Sequence, residues 1–279
     1  MNLVKVGDIE FYTSDDYTLE DLLRCQQKSK EMVEIIIDIF DRHGIDYFMA
    51  HGSLLGMVRH KGFIPWDDDC DLFLFDSQYA RAIEILRREL PNDMIVHNKR
   101  TDPIYWCKWT KIRDAHSDTE ESLWKIDRKL KYHGICIDLL RITPMRKGEY
   151  IYFKKSGKII KSLNAAKSIV KSKNRRFIRR LYCFVKFCLH KLRLTALRVV
   201  TFFLREKMLY ANLGTIIEAE MKYKDVFPLQ TKAYPFEDLM VNAPKNPDGV
   251  LKSMYGDYMK LPPLEKRLPH FSKVRFFDD

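Results

Sequence analysis

Four carboxylates fall within the five residues Asp67-Asp68-Asp69-Cys70-Asp71, and the chain runs straight from them into Leu72-Phe73-Leu74-Phe75. That apolar run has the character of a buried strand. Any fold this chain adopts must seat a cluster of like charges at the mouth of its own core. Side chains alternate along an extended strand, so wherever the segment is extended Asp67, Asp69 and Asp71 share one face and Asp68 and Cys70 the other. Three carboxylates at that spacing repel one another, and a cation among them removes the cost. Hard oxygen ligands of this kind suit Mg²⁺ or Mn²⁺ rather than zinc. Such an ion, with positions left open, holds nucleotide phosphates and stabilises charge at a transferring phosphorus. The competing reading is a polar turn with capping aspartates, which leaves the strand that follows unexplained.

A further acid stands inside the apolar strand Gly134-Ile135-Cys136-Ile137-Asp138-Leu139-Leu140. A buried carboxylate is costly unless paired or bound to metal. Asp138 is therefore either a satisfied core aspartate or the completing ligand of the site, the latter if its strand lies beside the one carrying Asp69 and Asp71. Upstream, Gly52-Ser53-Leu54-Leu55-Gly56 joins a strand to a helix. Amides at a helix N-terminus bind phosphate. Arg59, His60 and Lys61 place positive charge between this turn and the acids, and Arg59 has the planar fork for a bidentate phosphate contact.

The surrounding pattern alternates helices and strands. Val33, Ile36, Ile37 and Phe40 recur at helical spacing before Gly44, which predicts an amphipathic helix over 19–43. Strands are expected over 46–50, 69–75, 94–96, 105–112 and 134–140, with a short helical run through 54–59 and a helix over 79–90 closed by Pro91. The expected class is α/β, or α+β: a mixed sheet with packed helices. The six cysteines contain no CxxC pair, so neither a structural zinc site nor a disulfide framework is indicated, and a reducing compartment fits. The acidic N-terminus does not read as a secretory signal, and no apolar run is long enough to span a bilayer.

Charge is distributed unevenly. Residues 154–207 hold 17 Lys/Arg and one acid, Glu206, leaving 32 basic and 37 acidic residues elsewhere. This basic, aliphatic stretch reads as one or two amphipathic helices, with Phe177, Leu181, Phe184, Cys188 and Leu192 on one side and Arg175, Arg176, Arg179, Arg180, Lys186 and Lys191 on the other. The pattern suggests either an anionic membrane surface as partner or helices that pack on the catalytic domain and expose a solvated basic face. A nucleic acid is disfavoured, because the acidic cluster elsewhere repels a phosphate backbone. The chain divides accordingly into a catalytic core over 1–150, a basic helical insertion over 151–212 and a returning C-terminal part over 213–279.

Taken together, His51-Gly52-Ser53-Leu54-Leu55-Gly56, the run Val58-Arg59-His60-Lys61-Gly62-Phe63-Ile64-Pro65-Trp66-Asp67-Asp68-Asp69-Cys70-Asp71 and Tyr255-Gly256-Asp257-Tyr258-Met259 resemble the LicD family, which is similar to the fukutin group. The resemblance covers about 20–145 and 225–270 and leaves the basic insertion unexplained. It implies a nucleotidyltransferase-like fold in which Gly52-Ser53 is the phosphate turn, Asp69 and Asp71 the paired metal-binding acids and Asp138 the third, with Asp67 auxiliary. It also implies transfer of phosphocholine or a related alcohol phosphate from CDP-choline or another CDP-alcohol to a cell-surface glycan or its lipid-linked precursor. On that view Lys111 and Arg113 stabilise the leaving nucleotide and His270 belongs to a closing motif. Trp66, Tyr105, Trp106, Trp109 and Tyr132 are each either core or wall for a quaternary ammonium. The protein is then expected in the cytoplasm, on the inner face of the membrane. Two other readings stand beside it: nucleotidyl transfer with release of pyrophosphate, and a non-catalytic nucleic-acid-binding protein.

Overall fold

The computed structural model describes residues 1–121, 129–152, 173–204, 207–212 and 219–277. The chain forms two compact units, 1–143 with 212–279, and 144–211. In the first unit a hairpin of β1 (Asn2–Val6) and β2 (Ile9–Thr13) precedes α1 (Leu19–Arg42), β3 (Tyr47–Met49), α2 (His51–Arg59), β4 (Cys70–Phe75) and α3 (Asp76–Glu89). Then come β5 (Met94–His97), β6 (Thr110–Asp114), β7 (Ser117–Glu121) and β8, which begins at Cys136 and runs to Arg146.

α1 begins with a reciprocal cap: the Thr18 hydroxyl accepts from the Asp21 amide and the Asp21 carboxylate accepts from the Thr18 amide. Such a cap contributes about 1 kcal/mol. The apolar face of the helix, including Leu22, Met32, Val33, Ile36 and Phe40, is wholly buried, and the helix gives way to Gly44 at φ +60°. This is the helix and the left-handed glycine that the periodicity predicts.

The sheet is mixed. β4 pairs antiparallel with β3 and parallel with β8, while β8 pairs antiparallel with β6, and β6 with β5. β3 and β4 are almost entirely buried, as their continuous apolar sequence requires, with Phe48 packed between Phe73 and Phe75. The α/β architecture expected from the sequence is present. One strand assignment is corrected. The stretch 105–109 is irregular and β6 starts only at Thr110, because Tyr105 and Cys107 fold into a small side cluster with Leu130 instead of joining the ladder.

Three pairings had no local signal strong enough to announce them: the β1–β2 hairpin, a second hairpin of Gln230–Phe236 with Leu239–Ala243, and β7 paired antiparallel with Phe271–Phe276. The last of these carries the C-terminal strand back to the acidic segment. The second hairpin holds the loop after α2: the Glu237 amide donates to the Lys61 carbonyl at 2.8 Å, and the Glu237 carboxylate accepts from the Phe63 amide at 2.9 Å.

Glycine is required where that loop crosses its own helix. A Cβ on Gly56 would collide with the Gly62 carbonyl and lie 3.1 Å from the Ile64 amide nitrogen. Both are backbone atoms that cannot rotate away. Gly56→Ala is expected to lower unfolding free energy by about 1–3 kcal/mol in urea denaturation, and to reduce turnover in proportion to how far the loop to Asp67 is displaced.

Candidate active site

The first turn of α2 and the first residues of β4 are latched together. The Ala50 amide donates to the Asp71 carbonyl at 2.9 Å, and the Asp71 amide donates to the Ser53 hydroxyl at 2.9 Å. Ser53 thus sets the position of a carboxylate through its backbone. Gly52 leaves room for another: a Cβ there would stand 2.6 Å from the Asp67 carboxylate oxygen. Negative charge at this spot is favoured by the N-terminal end of the helix.

Register then decides which acids meet. Asp71 is opposite Asp138 across β4 and β8, and Asp138 is opposite Lys111 across β8 and β6, so the three side chains stand in a row on one face of the sheet. The Lys111 ammonium lies 2.9 Å from one Asp138 oxygen and 3.1 Å from the other, which also accepts from the Trp109 indole N–H at 2.6 Å. Burial, and then the charge of Asp69 and Asp138, holds the Asp71 carboxyl well above the usual carboxylate range, with Lys111 opposing. Asp69 is raised likewise, by burial and then by Asp67, with His270 opposing.

Ahead of β4, Asp67, Asp68 and Asp69 lie on an extended approach, and the C-terminal strand meets them. Asp68 is fully buried and accepts from the amides of His270 at 3.0 Å and Phe271 at 2.9 Å. The His270 Nδ1 lies 3.1 Å from Asp67, 3.4 Å from Asp68 and 3.6 Å from Asp69. The Asp69 charge first, and then hydrogen bonds to Asp67 and Asp68, drive the imidazole far above its ordinary value, so it sits as a cation among the acids. Ligand-capable atoms of Asp67, Asp68 and His270 lie within 4.8 Å of one another. The metal set expected from the sequence was Asp67, Asp69, Asp71 and Asp138. The structure sets Asp67 close to Asp68 and His270, places Asp71 beside Asp138 and Lys111, and keeps Asp69 within electrostatic reach of Asp67, Asp71 and Asp138. Among these groups the oxygens are hard donors suited to a small divalent cation.

Residues 44–134 match the nucleotidyltransferase domain of LicD, FKTN and FKRP. The chain thus carries a LicD-type domain, and its similarities support a LicD-type phosphotransferase. It is 27% identical over 269 residues to the lipopolysaccharide cholinephosphotransferase LicD of Haemophilus influenzae, covering 84% of this chain and 91% of that protein. It is 35% identical over 51 residues to the ribitol 5-phosphate transferase FKRP of Homo sapiens, which is 18% of this chain and 10% of that protein. It is also 25% identical over 118 residues to the uncharacterized protein RP689 of Rickettsia prowazekii, or 34% of this chain and 44% of that one.

The remaining expected site residues separate into two groups. Lys111 is in the row of acids. Arg113, two residues on, is 2% exposed and donates to His97 of β5 and to the Gly134 carbonyl just ahead of β8, so it braces β6 against both. Trp66 is likewise buried, near Phe11 and beneath Arg267, and is a core ring rather than a binding wall. Lys61 is exposed in a left-handed turn at φ +66°, with its ammonium 3.4 Å from the Val58 carbonyl, a position that serves the turn. Arg59 donates to His60 and to the Tyr258 carbonyl at 2.7 Å, tying α2 to the closing motif. Of the candidate aromatic walls, Tyr105 is core, Tyr132 packs edge-on to His97, and the half-buried Trp106 and Trp109 stand edge to face, 6.3 Å apart, with Trp109 bonded to Asp138.

Two contributors stand within the quoted motifs but were not singled out as site residues. His51 is buried beside Phe73, its Nε2 lies 3.4 Å from the Asn212 amide nitrogen, and burial lowers its pKa to about 4, so it is neutral next to the acids. Tyr255 is close enough for Asp71, Asp67 and Asp69 to push its phenol further up after burial has raised it.

The four adjacent acids are expected to respond differently. Asp69→Asn and Asp71→Asn should keep the unfolding midpoint near that of the parent while reducing turnover by at least about a hundredfold. Asp68→Ala strands two amides, and should cost about 1–3 kcal/mol for each in urea denaturation. Full activity in both Asn variants would remove Asp69 and Asp71 from the chemistry.

Proposed function

We propose that this chain moves an alcohol phosphate, with phosphocholine the leading head group, from a CDP-linked donor to a hydroxyl of a glycan or its lipid-linked precursor, working as a peripheral protein at an anionic membrane surface. The observation that carries the chemistry is the row Lys111–Asp138–Asp71 set beside the Gly52-Ser53 turn within a LicD domain. Similarity over most of the chain to a cholinephosphotransferase supports the head group, and the short similarity to a ribitol 5-phosphate transferase supports glycan-directed phosphotransfer more broadly.

Asp67, Asp69, Asp71 and Asp138 would hold Mg²⁺ or Mn²⁺, which when bound supplies neutralisation of phosphate charge. The chain's own groups account for the rest. The N-terminal turn of α2 offers amides to a donor phosphate oxygen. Lys111 orients Asp138 and supplies positive charge at the edge of the row. A carboxylate of the Asp69–Asp71–Asp138 set receives the proton of the attacking hydroxyl. The faces of Trp106 and Trp109, beside Asp138, suit a quaternary ammonium. The oxygen–phosphorus bond to the acceptor forms as the bond to CMP breaks, and CMP leaves with the negative charge.

Incubation with a panel of CDP-alcohols, a soluble glycan acceptor and Mg²⁺ tests this directly. CMP release dependent on both acceptor and metal is expected, with CDP-choline the fastest donor and EDTA abolishing turnover. Pyrophosphate released from a nucleoside triphosphate, with no CMP from any CDP-alcohol, would replace alcohol-phosphate transfer by nucleotidyl transfer.

A further inference from the structure

The basic insertion ends in a 31-residue helix, Lys173–Phe203. Its side chains are described at 185, 188, 189 and from 191 onward. The expected contributions of Phe177, Leu181, Phe184, Arg175, Arg176, Arg179, Arg180 and Lys186 lie outside the described side chains. The described part nonetheless resolves which face is outward. Val185, Leu189, Leu192, Ala196, Val199 and Phe203 recur every four or three residues and all are exposed, Leu192 at 68% and Phe203 at 76%. Roughly half a turn away, Leu194 and Leu197 are half-buried and Thr201 is buried. The helix thus packs by one stripe and presents a second, unbroken apolar stripe to its surroundings, which a surface helix of a soluble protein does not ordinarily do.

The flanks of that stripe specify what covers it. By helical position Arg193 borders one side and Lys191 and Arg198 the other, while Arg198 also pairs with Glu149 at 2.8 Å. Residues 173–203 contain no Asp or Glu. The four-three spacing would otherwise suit a coiled coil with a second copy, but two such helices would bring Lys and Arg against Lys and Arg with no acid to pair with. Among the described residues no helix is long and apolar enough to cross a membrane, so this one lies on a surface rather than spanning it.

We infer that the stripe Val185–Leu189–Leu192–Val199–Phe203, with its basic borders, is the docking face of this chain for an anionic lipid bilayer. The apolar ridge enters the acyl boundary while the flanking ammonium and guanidinium groups meet lipid phosphates. This deepens the peripheral placement proposed above and rests on it; binding is measured without turnover, so the two can fail separately. It also moves the docking face from the side expected on sequence grounds, which shares only Leu192 with the exposed stripe.

The experiment uses the full chain and sedimentation with phosphatidylcholine vesicles, with and without phosphatidylglycerol. Binding is expected only with the anionic lipid. Lys191→Gln with Arg193→Gln should weaken it about tenfold or more, and Leu192→Glu with Phe203→Glu should abolish it. CMP release with a soluble acceptor should be unchanged in both variants, since these side chains are exposed on the helical unit. Equal binding to neutral and anionic vesicles, or binding indifferent to both variants, would overturn the inference. So would a drop in solution oligomeric mass on Leu192→Glu without any lipid binding, which would make the stripe an interface between copies. Normal lipid binding with no CMP release from any donor would fault the transfer reading alone.

Discussion

Repulsion among carboxylates organises this protein. Four acids in five residues cannot sit at the edge of a core unless each is given a separate partner, and the structure supplies one to each. Asp67 is laid against the first turn of α2 over Gly52, Asp68 takes two amides of the C-terminal strand, and Asp69 faces the His270 cation. Asp71 has its backbone latched to Ser53 and its side chain placed beside the Lys111–Asp138 pair. These partners come from segments far apart in the chain, so stabilising the acids and closing the fold are the same event.

The same arrangement makes the site suitable for phosphate chemistry. Acids held close at some electrostatic cost favour a cation, and a cation there favours an anionic donor. Histidine at the mouth holds the approach segment together, while Lys111 keeps Asp138 oriented without entering the space before the sheet. The charge that would attract anions broadly is kept elsewhere. The segment 154–207 is strongly basic and the remainder mildly acidic.

How far the site was legible depended on whether local spacing or distant pairing carried the information. Asp69, Asp71, Gly52 and Ser53 stand out because a glycine turn, an acid run and an apolar strand are adjacent in sequence. Asp138 is visible as an acid in an apolar strand. Asp68 was placed on the far side of the strand by alternation, whereas it shares His270 with Asp67 and Asp69, and nothing local says that it would anchor the amides of residues 270 and 271. Arg113 and Lys111 look equivalent from sequence, two residues apart on one strand. Both are buried, and only packing turns Arg113 to His97 and Gly134 and Lys111 to Asp138. Trp66 failed as a wall for the same reason, since Phe11 and Arg267 that cover it come from the two ends of the chain.

The amino-acid sequence by itself determined the amphipathic helix before Gly44, the buried character of β4, the concentration of acids ahead of it and the segregation of positive charge, because each follows from spacing and composition within a few turns of chain. Tertiary structure decided the register that sets Asp71, Asp138 and Lys111 in one row, the return of His270 to the acids and the outward face of the basic helix. Those depend on strand pairing and on which side of an element finds a partner, and sequence periodicity alone cannot say where along the chain that partner comes from.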